Sequence, residues 1–119
     1  MAYVTTTDWG TKKGITPVLV YNTAPVGAGT VTLSVAAYVP KGTRAVTIHI
    51  RDWVAAAAGR TGTARATGGS IDYVRAITQV ANIGINALGD VPLDASYQFD
   101  LVFSAAATAL NVYILAVYL

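Results

Sequence analysis

The segment Asn111 to Leu119 (NVYILAVYL) is apolar on both of its alternating faces. A β-strand sends successive side chains to opposite sides, so Val112, Ile114, Ala116 and Tyr118 form one face and Tyr113, Leu115, Val117 and Leu119 the other. A strand with two apolar faces has to be covered on both. In a chain of 119 residues one face is covered by the chain's own core. The second face is expected to meet another copy or a different partner, which assigns Val112, Tyr113, Leu115, Val117 and Leu119 to a self-interface.

Composition points the same way. Charged residues make up 12% of the chain and apolar residues 54%, against about 25% charged in ordinary soluble domains. All six acids are aspartates. Missing glutamate, only three lysines, and abundant Thr, Val, Tyr and Gly favour strands joined by turns over surface helices. The length fits one domain with one core.

Thr30 to Ala36 and Arg44 to Trp53 alternate as half-buried strands, the second with Val46, Ile48 and Ile50 inward and Thr47, His49 and Arg51 outward. Thr16 to Tyr21, Ile71 to Val80, Asn82 to Leu88, Tyr97 to Ser104 and the closing segment add further strands. Ala55 to Ser70 reads as a long flexible loop, and Gly89 to Asp94 as a connection. About eight strands without a convincing helix predict an all-β antiparallel sandwich, an eight-stranded jelly roll. Residues 15–119 form its single domain. Residues 1–14 form an N-terminal arm, either a frayed end or a segment that packs Trp9 into a neighbour, and one removable without loss of the fold.

Little catalytic chemistry is available. There is no cysteine and one histidine, so thiolate catalysis and Cys-based zinc sites are excluded. His49 lies in mid-strand, and its nearest acid in sequence, Asp52, points to the opposite face, which leaves no nucleophile and orienting partner. Asp90 and Asp94 form the closest carboxylate pair, but they flank Val91, Pro92 and Leu93 as turn residues. Two carboxylates are too few for calcium. The glycines match no phosphate-binding motif. Arg60 and Arg65 sit among small residues with no aromatic for base stacking, which argues for a partner-facing loop over nucleic-acid binding. A net charge of +2 from scattered cations gives no strong grip on phosphate. The N-terminus lacks the pattern of a secretory signal, and no apolar run is long enough for a membrane span. The expectation is a protein that is not an enzyme and uses no metal or cofactor.

The segments from Val39 to Val46, from Val91 through Asp94 into Tyr97 to Asp100, and the ending Asn111 to Ile114 with Val117 to Leu119 resemble small jelly-roll and β-sandwich virion proteins of tailed bacteriophages. Val117 stands where such proteins often carry glycine. The resemblance implies a trimeric capsid decoration, or cement, protein on the virion surface, assembled in the host cytoplasm and bound to the major capsid protein. Tyr3, Trp9, Lys12, Lys13, Arg60 and Arg65 are the expected shell contacts, because the arm and the 59–70 loop lack a core pattern of their own. The alternative is a tail-fibre module for a receptor or carbohydrate, with Tyr21, Tyr38, Tyr73, Tyr97, Tyr113, Tyr118 and Trp53 as candidate sugar platforms.

Overall fold

Eight strands are divided between two facing sheets in a computed structural model that describes residues 9–119. They are β1 (Lys12–Tyr21), β2 (Gly29–Ser34), β3 (Ala45–Val54), β4 (Thr61–Ala66), β5 (Val74–Ile77), β6 (Ile85–Pro92), β7 (Gln98–Phe103) and β8 (Ala109–Tyr118). The first sheet has the order β1-β8-β3-β6 and the second β2-β7-β4-β5, with every pairing antiparallel. This is the jelly-roll topology that the strand count predicts.

The inner faces supply the core. Val46, Ile48 and Ile50 of β3, Val112, Ile114 and Val117 of β8, and Val91 of β6 meet Phe99, Leu101 and Phe103 of β7, Ala64 of β4, and Val74 and Ala76 of β5. Two bulges decide which side chains reach it. In β3 the pairing with β8 skips between Arg51 and Val54, and Asp52 takes a positive φ of 55°. The extra residue reverses the phase, so Trp53 turns inward although strict alternation from Val46 sends it out. Its ring stacks on Phe103 at 5.8 Å, and its Nε1 donates to the Arg60 carbonyl at 3.0 Å.

The second bulge corrects the predicted faces of β8. Thr47 pairs with Ala116 but Ile48 with Ile114, so Leu115 is the extra residue. Val117 is thereby turned into the protomer's own core together with Val112, and neither side chain belongs to an outer face. Ala116 and Tyr118 move outward instead.

Three further expectations change. The loop read from Ala55 to Ser70 contains β4, whose inward residues are Gly62 and Ala64; at Gly62 Trp53 occupies the space, since a Cβ there would lie 3.2 Å from the indole ring. Asp90 and Pro92 belong to β6, not to a turn. The strand read from Ile71 to Val80 shrinks to Val74–Ile77.

The N-terminal boundary moves as well. β1 begins at Lys12, which pairs with Tyr118, and Thr11 exchanges backbone hydrogen bonds with Leu119 at 2.8 and 3.0 Å. Trp9 is buried against its own chain, on Tyr118, Ala45 and Tyr73. Loss of the chain up to Lys13 would therefore unpair the Val117–Tyr118 end of β8 and uncover Tyr118.

Trp53 is the largest fully buried side chain. Trp53→Ala is expected to cost about 3–5 kcal/mol of unfolding free energy, read as a lowered urea midpoint.

Candidate intersubunit face

The outer face of the first sheet is built from positions that the registers place side by side. Leu19 of β1 pairs with Tyr113 of β8, Tyr113 with His49 of β3, and His49 with Leu88 of β6. These four side chains form one row across the full width of the sheet, with Leu115 beside it at the bulge. Leu88 is 62% exposed and Leu19 38%, while Tyr113, His49 and Leu115 are half-buried. The His49 and Tyr113 ring centroids lie 6.4 Å apart, and the Arg51 guanidinium sits 6.0 Å from the Tyr113 ring centroid. Among the described residues the His49 imidazole makes no hydrogen bond or ion pair. It has no carboxylate to orient it, and no three His, Cys, Asp or Glu residues among those described are grouped to hold a metal ion.

Toward the N-terminal end of β1 the same face becomes polar and then covered. Asp90 accepts hydrogen bonds from the Tyr118 hydroxyl at 2.7 Å and from the Thr47 hydroxyl, with Lys12 Nζ 3.7 Å away. Trp9 meets Tyr118 edge-on at 5.5 Å and Tyr73 at 6.2 Å. Burial, together with the hydrogen bond to Asp90 and the charge of that carboxylate, pushes the Tyr118 phenol from 10.0 up to about 12.

The predicted interface residues divide. Tyr113 and Leu115 lie on the outer face, Leu119 is 44% exposed at the end of the strand, and Val112 and Val117 are core. Leu19 and Leu88 were missed by sequence reasoning. Each alternates against inward neighbours, Val18 and Val20 in one strand and Ala87 and Gly89 in the other, so the signal was an apolar residue in the outward phase.

The predicted shell contacts are not brought together. Trp9 is covered, and Lys12 and Lys13 lie at the start of β1. Arg60 lies in the loop between β3 and β4, at the opposite end of the sandwich. Arg65 projects from the outer face of the second sheet and is paired with Asp72. Tyr3 lies outside the described residues. Of the proposed sugar platforms, Trp53 is enclosed by the core and offers no free ring face, while Tyr73 is half-buried beside Trp9.

Compared with family models, curated proteins and solved structures, the chain gives no match.

Because the folded Tyr118 phenol has the higher pKa, the stability it contributes is complete below pH 10 and is lost as pH rises from 10 to about 12. Tyr118→Phe is expected to lack this component, so the stability gap between variant and parent should narrow over that interval in urea unfolding followed against pH.

Proposed function

We propose that this jelly roll is a non-enzymatic structural subunit of a virion, a trimeric capsid decoration protein that joins major capsid proteins and stabilises the shell. The observation that carries the reading is the row Leu19, Tyr113, His49 and Leu88, with Leu115 beside it, which puts exposed leucines and an aromatic ring on the outer face of a sheet whose inner face already holds the core. Fully burying one aliphatic or aromatic side chain contributes about 1.5–3 kcal/mol. A row of such groups in register on a rigid sheet therefore favours a flat, complementary cover.

The trimer follows from the resemblance to phage decoration proteins, and the sheet face supplies its contact. Binding to the assembled shell and not to its separated parts would convert affinity into shell stability by mass action. Three copies joined together would bind in concert through effective concentration. The sequence-based shell contacts are scattered over the fold, so the trimer's own surface, not any single protomer, has to gather those that act together.

Light scattering is expected to give a trimer for the parent protein. Leu88→Asp, at an exposed position, should weaken association by about two powers of ten, as a loss of roughly 2–3 kcal/mol requires, with the β-sheet circular dichroism retained. Leu115→Asp should do the same. A parent protein that stays monomeric at micromolar concentration would sink the proposal. Sedimentation with empty phage capsids should show the parent bound and Leu88→Asp released.

A further inference from the structure

Among the described residues the two sheets end in four edge strands, β1, β6, β2 and β5, and one of them, β2, is left unguarded. Natural edge strands are blunted by charge, proline, bulges, shortness or cover, because unpaired backbone groups invite a foreign strand. β1 carries Lys12, Lys13, Pro17 and two register irregularities. β6 carries Asp90 and Pro92 and is approached so closely by the other sheet that a Cβ on Gly89 would sit 2.9 Å from Val74 Cγ2. β5 has only four residues, one of them Arg75. β2, Gly29–Ser34 (GTVTLS), has none of these devices: it pairs with β7 residue for residue without a shift, and it holds no charge and no proline.

The ladder fixes which backbone groups are free. Val35 N–H donates to the Tyr97 carbonyl at 2.9 Å. Antiparallel pairing alternates, so Leu33, Val31 and Gly29 also point their backbone groups at β7. The N–H and C=O groups of Thr30, Thr32 and Ser34 point away from it, and no turn or loop hydrogen bond among the described residues takes them. At the Gly29 end of this edge lies an apolar groove of about 260 Å³ between the sheets, lined by Tyr21, Ala24, Pro25, Val31 and Phe103, with Val26, wholly exposed, on its rim.

We propose that β2 is an acceptor edge for an extended, uncharged segment of a partner protein, which adds a fifth strand to the second sheet and places one aliphatic side chain in the groove. Strand addition takes its affinity from main-chain hydrogen bonds and its selectivity from pockets for alternate side chains, and both parts are present side by side. The groove is lined by no charged residue, which calls for an uncharged segment in the phase that enters it, since an ionised side chain there would lose water without gaining a counter-charge. A second copy of β2 does not serve. In an antiparallel pair centred on Thr32, the residue brought opposite Gly29 would be Val35, whose side chain is enclosed in its own core. No apolar group would remain to enter the groove.

The test uses an end-blocked heptapeptide alternating threonine and leucine, titrated into the isotope-labelled full chain and followed by amide chemical shifts. Shifts concentrated at Thr30, Thr32, Ser34 and Val26 are expected. Thr30→Pro removes one outward N–H from an edge strand, where proline is tolerated, and should weaken binding at least tenfold with the spectrum otherwise native. Val26→Asp, at a fully exposed position, should weaken binding of the leucine peptide and leave a threonine-serine peptide unaffected. No binding at millimolar peptide, or binding indifferent to Thr30→Pro, would overturn the proposal. So would a parent oligomer that Thr30→Pro dissociates, because the edge would then be occupied by another copy. Leu88→Asp leaves this edge intact, which keeps its outcome separate from that of the sheet-face contact.

Discussion

Strand β8 is hydrogen-bonded along both edges, to β1 and to β3, and its inner side chains run from Leu110 to Val117 through the centre of the core. Both apolar faces must be covered, and the chain solves that requirement unevenly. The second sheet covers the inner face completely. Outside, Trp9 covers only the Tyr118 end, and the span around Tyr113 and Leu115 is left to whatever lies above it. The one-residue slip at Leu115 sets this division, because without it Val117 would face outward and Tyr118 would sit in the core. A phenol there would face Phe and Leu side chains with no acceptor, at the cost of an unmade hydrogen bond; outside, it finds Asp90.

Much of the fold was legible because strand periodicity is a direct consequence of backbone geometry. Val46, Ile48 and Ile50 alternate without interruption, and so do Phe99, Leu101 and Phe103, and each set lies in the core. What was not legible lies where the period breaks. A bulge changes phase by one residue, and neither the one at Asp52 nor the one at Leu115 involves a glycine or proline to announce it. β4 was hidden for a different reason. Its inward residues are Gly62 and Ala64, and at Gly62 the indole of Trp53 fills the side-chain space, a relation invisible to a local pattern. The placing of the expected shell contacts was not legible either: sequence reasoning grouped residues by their lack of pattern, whereas the fold sends the start of β1 and the loop after β3 to opposite ends. The outer row could have been partly foreseen from Leu88, but its continuity across four strands depends on registers that no single strand encodes.

The two outer faces of the sandwich differ in kind. On the second sheet the neighbouring positions are Thr30, Val102, Thr63 and Arg75 in one row, and Thr32, Asp100 and Arg65 in the next. Their polar groups are tied within the surface: Thr32 Oγ1 donates to Asp100 at 2.7 Å, Gly68 N–H donates to the same carboxylate at 2.9 Å, and Arg65 pairs with Asp72. Such a face is comfortable in water and gains little from being covered, since surface ion pairs contribute at most about 1 kcal/mol. The middle of the first sheet has the opposite balance. Its row of Leu19, Tyr113, His49 and Leu88 contains no ion pair among its members, and its exposed leucines gain directly from being removed from water. The protomer thus has one hydrated outer face and one that exposes apolar side chains, and under the proposed function the second is the side that meets other copies.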